Sequence, residues 1–398
     1  MADLNSLFGK GLRGRLLALR RDLHRHPELA FEEERTAARL YDELAKLDPA
    51  ELERIAGTGV IARIAGTDDA APVVALRGDI DALPIQEETG LDYASEAPGV
   101  MHACGHDVHA TWTVGAAHLL ASRPARGDVL ILLQPAEETG RGAAAILQTG
   151  ALDGAAAIFG AHVDRRFPVG QVVAQAGPLA AATDEFTIEL LGSGGHGARP
   201  HEAADPVVGA SALIMAMQTI VARRLRPGTP AVVTIGMLRA GTAPNVIPDT
   251  AELRGTLRSI EPETRELLQR EVERIVQRVA VAHDLQPRIT FERGTPPLVN
   301  PPGPVEWAQR AARSLLGEEA LVTLPTINMG GEDFAFYLER LAGCFLRVGA
   351  REEGGEVMPA HSPRFVAADE SIFVGAAVLA ETARLAAENL MERSDPRR

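Results

Sequence analysis

The sequence predicts an α/β protein, a mixed, mostly parallel sheet flanked by helices and interrupted by an inserted ferredoxin-like α+β domain. Three observations carry this. The first is a set of short, continuously apolar runs, residues 73–76, 129–133 and 155–159, each leading into Gly, Pro or a polar cluster. Such runs suit strands buried on both faces, as in a parallel sheet. The second is a change of pattern near Ala182. Residues 183–191, 233–238, 251–258 and 288–292 alternate polar and apolar positions, as strands with one buried face do, and helical stretches at 205–224 and 261–283 separate them. Strand, helix, strand, strand, helix, strand is the order of a ferredoxin-like unit. The third is length, since 398 residues exceed one typical core. The economical division is a discontinuous catalytic domain of residues 1–181 and 295–398, with residues 182–294 inserted into it.

Taken in order, residues 12–47 read as helical. Leu12, Leu16, Leu19 and Leu23 share one face, Pro27 breaks the pattern, and Leu40, Leu44 and Leu47 resume it. Short strands follow at 60–64 and 73–76. Residues 108–120 form a good helix for which Asp107 is a candidate N-cap, and His109 and His118 on it read as mainly structural. A second helix is expected at 142–149. Beyond about Thr295 helices and apolar strands return, and the charged tail from Glu392 to Arg398 is expected to fray.

The formal charge of −14 makes polyanions such as nucleic acid poor partners. Lysine occurs only at positions 10 and 46, a skew that reads as coding bias. Residues 1–10 lack the pattern of a signal peptide, and no apolar stretch is long enough to span a bilayer, so a soluble cytoplasmic protein is expected. With two cysteines, one disulfide is arithmetically possible. Cys104 sits in a ligand-like cluster, however, and Cys344 in an apolar stretch, which favours metal or catalytic use of the first and burial of the second.

Cys104, His106, Glu138, His162 and His361 together look like one metal site. They offer thiolate, imidazole and carboxylate, the donors a borderline divalent ion takes. Most of them follow an apolar strand, and in open α/β sheets ligands gather beyond the carboxyl ends of strands. Of the adjacent Glu137 and Glu138, one can bind metal while the other reaches an activated water, the division of labour that metal-assisted hydrolysis needs. Asp79 and Asp81 face one side of an extended segment, where they would bind metal or orient ligand imidazoles. In the inserted domain, Gly-rich residues 192–201 carry His196 and His201, candidate donors to an oxyanion. Asn245 lies in another loop, and Arg258 offers a planar fork for a carboxylate.

The runs RGDIDALP, MHACGHD, QPAEE, GAH, GGHGARPH, APNVIP, MGGEDF and AHSP, in this order across nearly the whole chain, resemble the M20 metallopeptidase family. They are closest to its amidohydrolase branch of hippurate hydrolases, N-acyl-amino-acid amidohydrolases and indole-acetyl-amino-acid hydrolases. The resemblance implies two divalent ions per subunit, with Zn, Mn, Co or Ni as candidates. It also implies Cys104, His106, Glu138, His162 and His361 as ligands, Glu137 as general base and His196 as the oxyanion donor, commonly from a partner subunit. Asn245 and Arg258 would contact substrate, and the inserted domain would act as lid and dimerisation domain of a homodimer or higher homo-oligomer. The peptidase branches carry His-x-Asp where this chain has Asp79-Ile80-Asp81, and a bridging Asp where it has Cys104. That departure favours the amidohydrolase branch and leaves open whether Asp79 and Asp81 bind metal or orient its ligands.

The expected activity is therefore metal-dependent hydrolysis of an N-acyl-amino acid to a carboxylate and a free amino acid. The alternatives are a metallo-dipeptidase or aminopeptidase of the same family, a hydrolase with Cys104 as nucleophile and His106 as base, and a non-catalytic binding protein.

Overall fold

The computed structural model describes residues 4–394, and the chain forms two compact units. The first takes the chain up to Gly177, Val299–Pro325 and the residues from Asp333 onward; the second takes Pro178–Leu298 and Thr326–Glu332. The last segment joins the second unit through the Ala181 N–H, which donates to the Gly330 carbonyl. Of the tail expected to fray, residues 395–398 lie outside the described residues. No helix among the described residues is long and apolar enough to cross a membrane.

The first unit is built on a seven-stranded sheet. Its strands include β1 (Glu51–Ile55), β2 (Gly59–Ile64), β3 (Val73–Asp79), β4 (Val129–Gln134), β5 (Ala155–Pro168) and β6 (Val172–Val173). The seventh is the returning strand Ala342–Arg351. Across the sheet they run β1, β2, β4, β3, β5, the returning strand and β6. The central four are mutually parallel, and antiparallel pairs close both margins. The apolar runs form the parallel centre, buried on both faces as their composition requires. β1 escaped the sequence reading because it is an edge strand with no buried residue, so no apolar pattern marks it.

Helices Lys10–Arg25, His106–Ser122, Pro302–Leu316 and Ser371–Ser394 contribute to one continuous core with this sheet. Two of them approach closely enough to need glycine. A Cβ on Gly375 would stand 2.3 Å from the Trp112 ring. The early helical region breaks near Pro27 as expected and resumes at Glu34–Ala45.

Two buried ionic clusters pin the helices and strand ends. Arg77, sealed from solvent on β3, donates from Nε to Gln134 Oε1 (2.8 Å), from Nη2 to Asp333 Oδ1 (2.8 Å) and from Nη1 to Asp79. The Gln134 amide also donates to Asp333 (2.9 Å), and the Tyr337 hydroxyl donates to Gln134 (2.9 Å). The second cluster corrects the expectation that Asp107 caps its helix. The helix begins at His106 and its N-cap is Gly105, at φ 91°, where a side chain would be strained. Asp107 instead turns inward, accepting from Arg20 Nε (3.0 Å) and His24 Nδ1 (2.9 Å), because two buried cations there outweigh a cap. His24 also donates to Glu87 (3.3 Å), and Arg20 to Asp369.

The second unit has the expected ferredoxin-like order. Its four-stranded antiparallel sheet runs Ala231–Ala240, Thr250–Ser259, Ala182–Leu191 and Gln286–Arg293. Helix Pro262–Ala282 crosses one face together with Pro206–Met217, which stops at Gln218 before a separate turn, Thr219–Arg224. The single helix read at 205–224 is thus two.

Burial pushes the His24 pKa down, but the Asp107 hydrogen bond and charge, with Glu87, outweigh it and raise the pKa from 6.5 to about 9. A raised value means that protonated His24 stabilises the fold fully below about pH 6.5 and stops doing so as pH climbs through 9. The melting temperature is therefore expected to fall between pH 7 and pH 10, and the fall to flatten in His24→Gln. Parallel pH profiles for wild type and variant would refute this.

Candidate metal centre

Four segments of the first unit converge. The loop before helix His106–Ser122 brings Cys104 and His106, the turn Glu137–Thr139 after β4 brings two carboxylates, β5 brings His162, and a later loop brings His361. Cys104 Sγ lies 3.2 Å from His162 Nε2. His106 Nε2 is 3.8 Å from Glu138 Oε1 and 3.9 Å from Glu137 Oε2, and Glu138 Oε2 is 3.3 Å from His361 Nε2. These residues form three overlapping groups, Cys104/His106/His162, Cys104/Glu138/His361 and His106/Glu137/Glu138, each with its donor atoms within 4.8 Å of one another. All are largely buried except His361, whose side chain is 54% exposed.

Local structure aims these donors. Gly105 has no room for a Cβ, which would stand 2.5 Å from a Val163 methyl, so the Cys104–His106 loop lies tightly on β5. His162 does not stand at a strand end, as its motif suggested. β3 stops pairing with β5 at Gly160, but the returning strand carries β5 onward to Pro168, so His162 projects from just past the β3 edge. His162 Nδ1 donates to the Val163 carbonyl (2.7 Å), which turns Nε2 toward Cys104. His361 is in the left-handed region at φ 66°, and its N–H donates to the Ala103 carbonyl (2.8 Å), tying that late loop to the cysteine loop.

Asp81, one of the two aspartates expected to bind metal or to orient ligand imidazoles, contacts two candidate ligands at once. Its Oδ1 (3.1 Å) and backbone carbonyl (3.0 Å) accept from His106 Nδ1, and its Oδ2 accepts from the Glu138 N–H (2.9 Å). Such contacts set the tautomer and direction of a liganding imidazole. Asp79 faces His109 Nδ1 (2.6 Å) and Arg77, while His109 Nε2 accepts from the Val163 N–H (2.9 Å). His109 thus bridges β3 to β5 and is stacked on Trp112, consistent with its structural reading.

With these contacts made, His106 Nε2 and Glu138 Oε1 are buried with no hydrogen-bond partner. Two such atoms 3.8 Å apart, beside a thiol and a second imidazole, are of the types that could hold a divalent cation. The electrostatics agree. Burial, reinforced by Glu138, pushes the Cys104 thiol well up, so a cation is what would favour its thiolate. Burial also opposes ionisation of Glu138, but its hydrogen bond to His361 and the His106 charge carry its pKa down. Asp79 goes well down because Arg77, His106 and His109 overcome burial. Cys344 is free and buried in the core, and Cys104 is likewise free, so no disulfide joins them.

The other expected site residues belong to the second unit. His196 is on a two-residue strand paired with Val246, its Nδ1 accepting from the Ala198 N–H (3.0 Å), and the adjacent Asn245 carbonyl accepts from Gly197 (2.8 Å). His196 and Asn245 therefore share one small ribbon. Arg258 lies in register with Thr183, with Nη1 3.5 Å from the Met329 carbonyl, and His201 is exposed beside Glu202. Sequence reasoning missed the Arg77–Gln134–Asp333 cluster behind the centre. Its signal was the pairing of polar residues with the ends of apolar strands, but not which partner each would find.

Comparison with known proteins places this geometry. The family described as peptidase family M20/M25/M40 matches residues 75–385. N-acetyl-L-cysteine deacetylase of Bacillus subtilis (strain 168) is 39% identical over 379 residues, 94% of this chain and 88% of that protein. IAA-amino acid hydrolase ILR1-like 4 of Arabidopsis thaliana is 36% identical over 375 residues, 92% of this chain and 84% of that one. The crystal structure of the YXEP protein of Bacillus subtilis, described as a dinuclear metal binding peptidase from the M20 family, matches with a TM-score of 0.84 and 36% identity, covering 96% of this chain and 99% of that one. The chain belongs to peptidase family M20/M25/M40, within its amidohydrolase branch, and is a metal-dependent hydrolase.

Proposed function

We propose that the protein hydrolyses the amide bond of N-acyl-amino acids, giving a carboxylate and a free amino acid. The observation that carries the reading is the pair of partnerless buried atoms, His106 Nε2 and Glu138 Oε1, facing a thiol, further imidazoles and a second carboxylate. The overlap of the three donor groups favours two divalent ions, with Cys104, His106, Glu138, His162 and His361 holding them and Zn, Mn, Co or Ni as candidates. Such ions supply Lewis acidity, polarising an amide carbonyl and making water nucleophilic near neutral pH. Glu137, with Oε2 3.9 Å from His106 Nε2, collects the attacking water's proton and returns it to the leaving nitrogen. Asp81 keeps His106 and Glu138 in position through both steps. In this proposal His196 donates to the developing oxyanion, and Asn245 and Arg258 contact substrate.

The names of two relatives support the substrate class, since an N-acetylated cysteine and an IAA-conjugated amino acid both carry an acyl group on an amino-acid nitrogen. A dipeptidase is the second reading, favoured by the description of the YXEP protein as a peptidase. A cysteine nucleophile fares worse, because nucleophilic thiols have depressed pKa values and that of Cys104 is raised. A non-catalytic binding protein leaves the Glu137–Glu138 pair beside the imidazoles without a task.

We also propose a homodimer through the second unit. Its edge strand Ala231–Ala240 exposes Met237 and Leu238, and helix Pro206–Met217 exposes Val207, Val208 and Met215. An unpaired edge beside exposed apolar side chains suits a second copy of the same chain.

Three outcomes are expected. Glu137→Gln lowers kcat on N-acetyl-, N-benzoyl- or indole-acetyl-amino acids by about 10²-fold or more with metal content unchanged; full activity would remove Glu137 as base. Chelation abolishes turnover and refilling with Zn, Mn, Co or Ni restores it, whereas activity that survives chelation would revive Cys104 as nucleophile. Cleavage of dipeptides alone would move the activity to the second reading. Light scattering gives twice the chain mass for wild type and one chain mass for Met215→Glu/Leu238→Glu; a monomeric wild type would end the dimer proposal.

A further inference from the structure

Among the described residues, six arginines are buried to below a tenth of their surface, and five of them are answered. Arg20 meets Asp107, Arg77 meets Asp79 and Asp333, Arg165 meets backbone carbonyls and Glu352, Arg265 meets Asp184, and Arg384 meets Glu381 and the Leu119 carbonyl. Arg347 is the exception. It is 7% exposed, its Nε has no hydrogen-bond partner, and no carboxylate among the described residues pairs with its guanidinium. Its guanidinium lies over the Phe345 ring, with the ring centroid 5.5 Å away.

The place of this cation is informative. Arg347 lies on the returning strand in direct register with His162 of β5. In-register residues of neighbouring strands project from the same face about 5 Å apart. Arg347 therefore stands beside the imidazole whose Nε2 is 3.2 Å from Cys104 Sγ. Leu346 and Val348, which flank it, point the other way into the main core, while Phe345 and Phe334 line its own face. An unanswered guanidinium on an apolar floor costs stability, and an anion brought to it gains more than it would in water.

We propose that Arg347 binds the carboxylate of the substrate's amino-acid half. The choice of that anion rests on the amidohydrolase reading. In an N-acyl-α-amino acid the carboxylate is two bonds from the scissile nitrogen, so its receptor must stand next to the donor cluster, as Arg347 does. The planar fork of arginine takes a carboxylate through two parallel hydrogen bonds. This assigns the carboxylate contact to the unit that carries the cluster and leaves Arg258 to another part of the substrate.

The test compares each N-acetyl-amino acid with its carboxamide, which keeps the scissile bond and loses the charge. Wild type should prefer the acid in kcat/KM, and Arg347→Met should lose at least about tenfold of that preference, chiefly through KM, with Arg347→Lys in between. Arg347→Met should melt at or above the wild-type temperature, because it removes an unpaired buried charge. An unchanged preference, or equal losses on acid and amide with a lowered melting temperature, would overturn the assignment. Calorimetric titration of the chelated protein with N-acetylglycine and its amide separates this from the reaction itself. If wild type hydrolyses no acyl-amino acid, the amidohydrolase reading falls. An acid preference in binding that disappears in Arg347→Met would still establish the anion site, and no preference, or one that persists, would refute it.

Discussion

The Arg77 guanidinium, fully sealed from solvent, is answered from three directions at once, by Asp79 on its own strand, Gln134 at the end of β4 and Asp333. Breaking such a buried set leaves an uncompensated charge, so its geometry is enforced rather than optional. The consequence is positional. β3 and β4 are parallel neighbours whose ends are locked in register, Asp79 against Gln134. Everything that follows those strands, Asp81 on one side and Glu137 and Glu138 on the other, leaves from fixed points. The 2.9 Å contact between Asp81 and the Glu138 N–H closes the same alignment one step further out.

The donor cluster is organised by division of each polar group into a used and an unused end. His106 spends Nδ1 on Asp81, and His162 spends Nδ1 on the Val163 carbonyl. Asp81 accepts from two different loops. Side chains anchored at one end have few rotamers left, so the atoms pointing inward are ready without further ordering. A cation entering there meets donors that have already lost most of their freedom.

Much of this was legible in the sequence. The candidate ligands sit in short, chemically marked runs, and the parallel and antiparallel strands differ visibly in apolar pattern. What escaped was whatever depends on neighbours. Asp107 reads as a cap until Arg20 and His24 are seen beside it. His162 reads as the end of a strand because its apolar run stops, yet pairing with Ala342–Arg351 keeps the strand going. β1 has no apolar signature because neither face is fully covered. Arg347 reads as one charge in an apolar strand, and only the lack of an ion pair to it among the described residues makes it distinctive.

The loop that brings His361 to the cluster carries a consequence for how the chain acquires its site. The backbone of that residue is tied to Ala103 and its side chain meets Glu138, and the whole second unit lies between these partners and His361 in sequence. Closing so long a loop is slow compared with forming helices and local strand pairs. On a chain emerging from synthesis, the cysteine loop, the glutamate turn and β5 are available long before His361 exists. Early ion capture would therefore involve an incomplete set of donors, and full coordination would come only with the last part of the fold. If His361 is one of the ligands, retention of an ion would report that its loop has closed onto the cysteine loop.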